Sequence, residues 1–222
     1  MRKLLRTIKR VLDKTFGTII DEFFWRFRSK SWAKKYLTPE SINHPHRQLL
    51  IEHIAIYAPF ESALEVGCAS GANLYLIAKR FPNVKLYGTD INKRAVYIGR
   101  EWFATQGINC SFSARKAEDL KSFPDKSIDI IFTDAALICV GPEKIERVFK
   151  EFVRVAKKAL IFNEWHSELS SSTYNDHWIH NYRTLLKKFI PEDNIRFTKI
   201  PQELWGGDWA KYGYIIEVNL RK

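Results

Sequence analysis

The stretch Ala63-Leu64-Glu65-Val66-Gly67-Cys68-Ala69-Ser70-Gly71-Ala72-Asn73-Leu74 decides the fold of this 222-residue chain. It begins with a short apolar run, which is typical of a buried parallel strand. The run stops at Gly67, and apolar residues then recur at helical spacing up to Phe81. A strand, a glycine loop and a helix in this order predict a corner that binds a phosphate or a nucleoside. Glycine lets the backbone turn sharply and lie against a ligand, and the first N–H groups of the helix are unpaired.

Two kinds of ligand use such a corner, and the spacing of the glycines separates them. A dinucleotide site has the pattern Gly-x-Gly-x-x-Gly, so that the backbone touches the pyrophosphate. Here the middle glycine is replaced by Ala69, and an acid, Glu65, stands two residues before Gly67. The pattern Glu65-x-Gly67-x-x-x-Gly71 resembles motif I of the class I S-adenosylmethionine-dependent methyltransferases. The cofactor of that family carries a cationic amino group, which a carboxylate neutralises.

A second acid follows at the end of the next predicted strand. Residues 84–89 are suited to a strand, and Asp90 comes directly after it, nineteen residues beyond Gly71. A carboxylate at a strand tip accepts hydrogen bonds from both ribose hydroxyls of a nucleoside. The alternative is that Asp90 caps the helix that begins after Ile91-Asn92. Alongside Glu65, the ribose role is favoured.

Composition favours one globular domain in a reducing compartment. The apolar share is 45%, and no uncharged run is long enough for a membrane span. The basic N-terminus is a poor signal peptide because charges interrupt its apolar residues. The cysteines are scattered without metal-ligand spacing, which favours the cytoplasm; they are Cys68, Cys110 and Cys139. Cys68 is expected to pack.

Three histidines lie close together in the sequence but do not predict a metal site. His44, His46 and His53 lack a cysteine or carboxylate partner at ligand spacing. A solvated or packed role is therefore expected for each of them, and no metal is predicted.

The positive charge of the chain is concentrated at one end. Residues 1–35 contain eleven Lys and Arg residues and three acids, a net charge of +8 out of the total of +11. Residues 1–42 are predicted to form a basic, amphipathic helical extension, with a helix or a pair of helices over 2–28 and a possible break at Gly17. This segment packs on its own domain or a protein partner, or it lies on an anionic membrane surface. Residues 29–45 are expected to be irregular, with Trp32 and Tyr36 as lids or packing plugs.

The remaining pattern, over residues 43–222, predicts a single α/β domain. We expect a Rossmann-like, seven-stranded, mostly parallel sheet with an antiparallel last strand and helices on both faces. The helix before the glycine loop begins at Pro45, and a late helix spans residues 177–190. The last two strands span residues 194–200 and 212–220.

The resemblance to class I methyltransferases extends over about residues 45–220. It implies S-adenosyl-L-methionine as the cofactor. The residues that it assigns to cofactor binding are Glu65, Gly67, Cys68, Ala69, Gly71, Asn73, Asp90, Ile91, Ala117, Glu118 and Asp134. Lys116 stands where family members often have an acid near the adenine amino group, so Glu118 or backbone carbonyls are expected to replace that contact.

The fourth predicted strand ends in Asp134 and is followed by Leu137-Ile138-Cys139-Val140. The Pro-Pro box of many nucleobase amino-methylating enzymes is absent there, which resembles the small-molecule branch of the family. A hydroxyl acceptor needs a group that takes its proton, and histidine suits this at neutral pH. The expected catalytic residues are His166, then His177 and Asp134, with His180 a further candidate.

The acceptor expected from these observations is a small molecule or a sugar of a glycan precursor. RNA or protein methylation is an alternative that the total charge favours, but the basic residues are clustered at one end, which makes nucleic acid less favoured. A cofactor-binding subunit without catalysis is another alternative, suggested by Lys116. Residues 1–35 are expected to contact a membrane surface or a protein.

Overall fold

The computed structural model describes residues 19–169, 171–175 and 177–221. The helix predicted over residues 2–28 is therefore described only from Ile19 onward, where α1 (Ile19–Arg26) is helical as expected. Its earlier part and the possible break at Gly17 lie outside the described residues.

The helices and strands of the described part follow the alternating order of an α/β domain. After α1 the helices are α2 (Lys30–Lys35), α3 (Pro39–Ile42), α4 (Pro45–Ala55), α5 (Ala72–Arg80), α6 (Lys93–Thr105), α7 (Pro142–Val155), α8 (Tyr182–Leu186) and α9 (Asp208–Tyr212). The strands are β1 (Ser62–Val66), β2 (Lys85–Asp90), β3 (Cys110–Ala114), β4 (Ile128–Asp134), β5 (Ala156–Trp165), β6 (Ser172–Tyr174), β7 (His177–Ile179), β8 (Ile195–Lys199) and β9 (Gly213–Asn219).

One seven-stranded sheet organises the fold, with strand order β3-β2-β1-β4-β5-β9-β8. Strands β1 to β5 are parallel to one another, whereas β9 runs antiparallel to both β5 and β8. The prediction of a mostly parallel sheet with an antiparallel last strand is confirmed. The strand order reverses at β1, which lies between β2 and β4, and this opens a crevice at the carboxyl edge of the sheet.

Hydrophobic residues alternate between the two faces of the sheet. Along β1, Leu64 and Val66 pack into the core beneath α7, while Ala63 packs into the core beneath α4, α5 and α6. Helix α7 buries Phe149 and Phe152 against the first face. Helices therefore cover both faces of the sheet, as predicted. This packing holds in place the strand ends that carry the polar residues.

Two local predictions are wrong. Residues 177–190 do not form one helix: β7 pairs with β6 in a separate two-stranded sheet, and α8 begins only at Tyr182. The reason is Asn181, whose side chain accepts a hydrogen bond from the Thr184 N–H and caps α8 at that point. Residues 29–45 are not irregular, because Ser29 caps α2 and Thr38 caps α3.

None of the helices in the described ranges is long and apolar enough to cross a membrane. The described part of the N-terminal segment instead packs on the sheet domain. Ala33 of α2 is fully buried, and its carbonyl accepts a hydrogen bond from Ser70 Oγ at 3.0 Å. The boundary at residue 42 stays a prediction.

Gly71 is required by packing between elements. Its φ is +91°, and a Cβ there would lie 2.8 Å from Phe112 Cζ and 2.9 Å from Phe103 Cε2. We expect Gly71→Ala to lower the free energy of unfolding by about 2–4 kcal/mol, because the substitution adds overpacking to backbone strain.

Gly107 provides the matched control. Its φ is +65°, but nothing lies within 4 Å of its Cβ position, so Gly107→Ala should cost only about 1 kcal/mol. Urea unfolding measures both variants. Equal losses would show that crowding by the two phenylalanines is not the constraint.

Candidate active site

A cavity lies at the carboxyl edge of the sheet, where the strand order reverses. It encloses about 910 Å³ of empty space, its open mouth included, which is within the range of about 300–1,000 Å³ typical of ligand pockets. Gly67 at the end of β1, Asp90 at the end of β2 and Asp134 at the end of β4 line it. This is the position where open α/β sheets bind their ligands.

The carboxylate of Asp90 is held in a fixed orientation at the tip of β2. Its Oδ2 accepts a hydrogen bond from the Ala69 N–H and its Oδ1 one from the Asn92 N–H, each at 2.8 Å. Each oxygen keeps a lone pair for a further donor. The cap of α6 is Asn92, whose Oδ1 accepts from the next two N–H groups. The alternative of Asp90 as the helix cap is therefore wrong, and its carboxylate faces the cavity.

The glycine loop does not present a row of free N–H groups to a phosphate. The N–H groups of Gly67 and Cys68 donate to Thr89 O at 2.7 and 2.9 Å, and that of Gly71 donates to Cys68 O at 2.8 Å. The Ala69 N–H is bound by Asp90. Since these donors are satisfied within the protein, the loop is built for a ligand without a pyrophosphate.

Glu65 is buried behind the loop with one of its oxygens unpaired. Oε1 accepts a hydrogen bond from Asn73 Nδ2 at 2.6 Å, whereas the buried Oε2 has no partner among the described residues. Burial raises the pKa of Glu65 to about 8. A buried carboxylate oxygen without a partner is costly in the free protein, and a cationic ligand group would relieve that cost.

Asp134 is the most heavily bonded group at the site. Its Oδ2 accepts from Arg47 Nη1 at 2.8 Å and Asn73 Nδ2 at 3.0 Å and lies 3.1 Å from His46 Nε2, and its Oδ1 accepts from Asn163 Nδ2 at 2.7 Å. Although burial by itself raises the pKa of Asp134, the neighbouring His46 and Arg47 hold it well below its usual range. Asp134 is therefore ionised and is a weak base.

Helices α1 and α2 roof the cavity with aromatic side chains. Trp25, Trp32 and Tyr36 line its upper wall, with ring centroids 5.7 Å apart for Trp25 and Trp32 and 5.1 Å apart for Trp32 and Tyr36. Burial raises the pKa of Tyr36 to about 12, so its hydroxyl stays protonated. The sequence indicated Trp32 and Tyr36 as lids or packing plugs but did not place Trp25 there.

An acid from the roof stands beside Lys116. Glu22 of α1 lines the cavity and forms ion pairs with Lys116, at 2.7 Å, and with Lys144. The acid that was expected after β3 is absent, but an acid from a distant segment, Glu22, stands beside the lysine that replaces it. No local pattern in the sequence could have shown this pairing.

The structure brings most of the predicted cofactor-binding residues to the cavity and places the others behind it. Those that line the cavity are Gly67, Ala69, Asp90, Ile91, Ala117, Glu118 and Asp134. Those behind the wall are Glu65, Cys68, Gly71 and Asn73. Cys68 is buried, and burial raises the pKa of its thiol, so it serves packing and not thiolate chemistry.

The three candidate histidines differ in their distance from the cavity. His166 is buried away from it: its Nδ1 accepts from the Tyr182 N–H at 3.2 Å, and its Nε2 lies 3.2 Å from Glu168 Oε1. His180 is fully buried and donates from Nε2 to Val140 O. His177 lies behind the cavity lining, with Nδ1 3.9 Å from the Sγ of Cys139, which lines the cavity.

Sequence reasoning missed the role of His46 and Arg47. Both come from the start of α4 and bind Asp134, and the His46 ring also stacks on Trp205 with centroids 3.8 Å apart. The partner that His46 lacks in the local sequence is supplied by β4. Within the described ranges, no group of three or more His, Cys, Asp and Glu side chains is arranged to hold a metal ion.

Comparisons with known proteins agree with this geometry. The family model of a methyltransferase domain matches residues 63–159, just under half of the chain. A comparison with curated protein sequences gave no match.

Solved structures share the fold at low identity. The PH0226 protein from Pyrococcus horikoshii OT3 has a TM-score of 0.63 at 17% identity, covering 85% of this chain and 99% of its own. A SAM-dependent methyltransferase from Aquifex aeolicus has a TM-score of 0.62 at 18% identity, covering 87% and 100%. A geranyl diphosphate C-methyltransferase from Streptomyces coelicolor A3(2), crystallised with Mg²⁺, geranyl diphosphate and S-adenosyl-L-homocysteine, has a TM-score of 0.63 at 12% identity, covering 79% and 78%.

The residues at the cavity fit the cofactor of these enzymes. A ribose needs a carboxylate at the second strand, which Asp90 supplies, and a cationic amino group suits the unpaired oxygen of Glu65. Residues 63–159 thus match a methyltransferase domain, and the described part of the chain shares its fold with a solved S-adenosylmethionine-dependent methyltransferase.

Proposed function

We propose that this chain is a class I S-adenosylmethionine-dependent methyltransferase that methylates a hydroxyl oxygen of a small acceptor, a sugar or a glycan precursor, in the reducing cytoplasm. The observation that carries the proposal is the roof over the cavity, formed by Trp25, Trp32 and Tyr36. An acceptor has to fit beneath these rings together with the cofactor. That requirement favours a small molecule over a folded protein or an RNA helix.

The charge distribution supports the same class of acceptor. Outside residues 1–35 the chain carries a net charge of only +3, and the cavity is lined by acids as well as bases. Its lysines Lys116 and Lys144 are paired with Glu22. An enzyme that binds RNA at its active site is expected to present basic residues there that are not paired with acids.

The aromatic roof also suits a sugar ring. Trp25 and Trp32 offer flat apolar surfaces with an N–H at one edge, and Tyr36 adds a hydroxyl. A pocket of this kind, mostly apolar with a few placed polar groups, fixes the orientation of a small ligand. The polar side chains that line the same cavity include those of Asp134, Asp90 and Glu118.

In this proposal the cofactor-binding roles follow from the positions of the side chains. Asp90 receives the ribose hydroxyls, Glu65 neutralises the amino group, and Ala117 and Glu118 border the adenine. Bound S-adenosyl-L-methionine supplies an electrophilic methyl group on a positively charged sulfur. The protein therefore mainly aligns the acceptor and takes its proton.

His177 is the proton acceptor in this proposal. It contacts two residues that line the cavity: its Nδ1 lies 3.9 Å from the Sγ of Cys139, and its ring stacks near Trp25 with centroids 6.5 Å apart. Imidazole takes a proton near neutral pH, whereas Asp134 is held ionised by its partners and is too weak a base. His166 has its ring nitrogens occupied away from the cavity.

Transfer of a tritium-labelled methyl group to fractionated cell extract tests the acceptor class. The label should appear in material that passes a small-pore filter or extracts into organic solvent, and it should survive alkali as an ether does. Nuclease and protease treatment should not change its size. Label that becomes small only after either treatment would overturn the proposal and indicate RNA or protein as the acceptor.

Asp90→Ala should weaken cofactor binding by about 1–3 kcal/mol, because two hydrogen bonds to a carboxylate are lost. Calorimetric titration measures the affinity, and circular dichroism confirms folding. Asp119→Ala, which removes an exposed acid from the loop after β3, should leave the affinity unchanged. A folded Asp90→Ala variant with the parental affinity would remove the ribose assignment.

Glu65 should make cofactor binding depend on pH. Since burial raises the pKa of Glu65 to about 8, its carboxyl group carries a proton at neutral pH in the free protein. A bound ammonium favours the ionised form, so the proton leaves on binding and the affinity rises as the pH increases toward 8.

Glu65→Gln separates this effect from titration of the cofactor's own amine, which both proteins share. Calorimetry at slightly acidic pH in two buffers with different ionisation enthalpies counts the protons released. The parent should release close to one proton more than Glu65→Gln. Equal proton counts would contradict the pairing of Glu65 with the amino group.

His177→Ala should lower turnover by about 10²- to 10⁴-fold, with cofactor affinity nearly intact. The rise of activity with pH through a histidine-like value should disappear. His166→Ala is the matched control: it removes a buried imidazole, so stability should fall while turnover per folded enzyme is retained. Parental turnover and pH profile in His177→Ala would exclude it as the base.

A further inference from the structure

Helix α1 presents an aromatic face to solvent. Phe23 is 65% exposed, Phe24 48% and Phe27 53%. Two of these rings, Phe23 and Phe27, lie one helical turn apart and contact each other with centroids 4.6 Å apart. Large aromatic side chains that share one exposed face indicate an interaction surface.

The exposed charges on α1, α2 and the residues between them all have the same sign. Between residues 19 and 35, the exposed charged side chains are Arg26, Lys30, Lys34 and Lys35. The acids of this segment point away from solvent: Asp21 is 5% exposed, and Glu22 is paired with lysines of the sheet domain. The outward face is therefore aromatic and basic, and it complements an anionic, partly apolar surface.

The orientation of this face is fixed by contacts on its inner side. Asn92 Nδ2 donates to Trp25 O at 2.9 Å and to Arg28 O at 3.2 Å, and Arg94 Nη1 donates to Phe27 O at 3.3 Å. These bonds hold the segment between α1 and α2 against the start of α6. The three phenylalanines cannot turn inward without breaking these bonds.

The sequence before α1 continues the same composition. Residues 1–18 add six basic residues and a single acid, Asp13. The charge that faces outward on α1 and α2 is thus part of a longer basic segment in the chain.

We propose that the surface formed by Phe23, Phe24, Phe27 and the exposed basic residues of 26–35 docks the enzyme on an anionic lipid membrane. Phenylalanine rings enter the boundary between headgroups and acyl chains, and lysine and arginine are attracted to anionic headgroups. The occupant is a lipid surface because the same segment exposes both aromatic rings and basic residues, which matches the layering of charged headgroups over an apolar interior. The proposal does not depend on the acceptor assigned above.

Docking places the active site beside the membrane. Trp25 and Glu22 belong to the same helix and line the cavity, while the phenylalanines face away from it. An enzyme held in this way works on acceptors at or near the membrane surface.

Sedimentation with vesicles tests the proposal on the full-length enzyme. Vesicles of phosphatidylglycerol and phosphatidylcholine, about one to two, present the anionic surface, and pure phosphatidylcholine is the neutral comparison. The parent should sediment with the anionic vesicles at low salt and be released near 0.5 M salt, where charges are screened beyond about 4 Å. The triple variant Phe23→Ser/Phe24→Ser/Phe27→Ser should bind at least tenfold more weakly.

Two further variants separate the aromatic from the electrostatic part. Lys30→Ser/Lys34→Ser/Lys35→Ser should also weaken binding at least tenfold, since each basic residue near the surface contributes about a fivefold factor. Ile56→Ser/Tyr97→Ser removes two side chains that are each 55% exposed elsewhere on the chain, and it should bind as the parent does. Unchanged cofactor affinity confirms that each variant is folded.

Several results would overturn the proposal. The first is that the parent does not sediment with anionic vesicles at low salt, and the second is that it binds neutral vesicles equally well. The third is that the phenylalanine variant binds anionic vesicles as strongly as the parent does. Light scattering gives a further one: a parent oligomer that the phenylalanine variant converts to monomer would show that a second copy covers this face.

Discussion

A single buried carboxylate, that of Asp134, determines how the active site is assembled. Its partners come from α4, α5 and β5: Arg47, His46, Asn73 and Asn163. A buried charge without these partners would be strongly unfavourable, and removing one partner of such a pair typically costs about 3–5 kcal/mol. Because these four partners lie on three different elements, satisfying this charge fixes the helix before β1 and the helix after it relative to β4.

The same network gives two neighbouring carboxylates opposite properties. The Asn73 amide nitrogen lies within hydrogen-bond distance of both Glu65 and Asp134, but only Asp134 has a positive partner in direct contact. Burial raises the pKa of Glu65, and the charge of Asp134 raises it further, whereas His46 and Arg47 keep Asp134 ionised against its burial. Two carboxyl groups whose surroundings give them very different pKa values can perform different functions. Asp134 organises the site, and Glu65 is ready to receive a cation.

Sequence reasoning succeeded where one local unit contains the whole feature. The position of Asp90 at the tip of β2, against the glycine loop, is such a case, whereas its role toward a ribose stays a prediction. It failed for contacts between distant segments, such as Glu22 with Lys116 or His46 with Asp134. Helical or strand periodicity in the sequence does not indicate which distant residues will meet. Gly71 lies between the two cases. The pattern identified a position that requires glycine, and the structure adds reasons that the pattern could not show: a φ of +91° and the neighbouring rings of Phe112 and Phe103.

The roof is held by weaker bonds than the sheet that it covers, and this difference has a functional consequence. Its attachments are hydrogen bonds to backbone carbonyls, the Ser70–Ala33 contact and partly exposed ion pairs of Glu22, of which the ion pairs contribute about 1 kcal/mol or less each. The strands below are buried on both faces. Local opening of α1 and α2 therefore costs far less than unfolding the domain. The segment that completes the cavity is therefore the part of its wall that opens at the lowest cost.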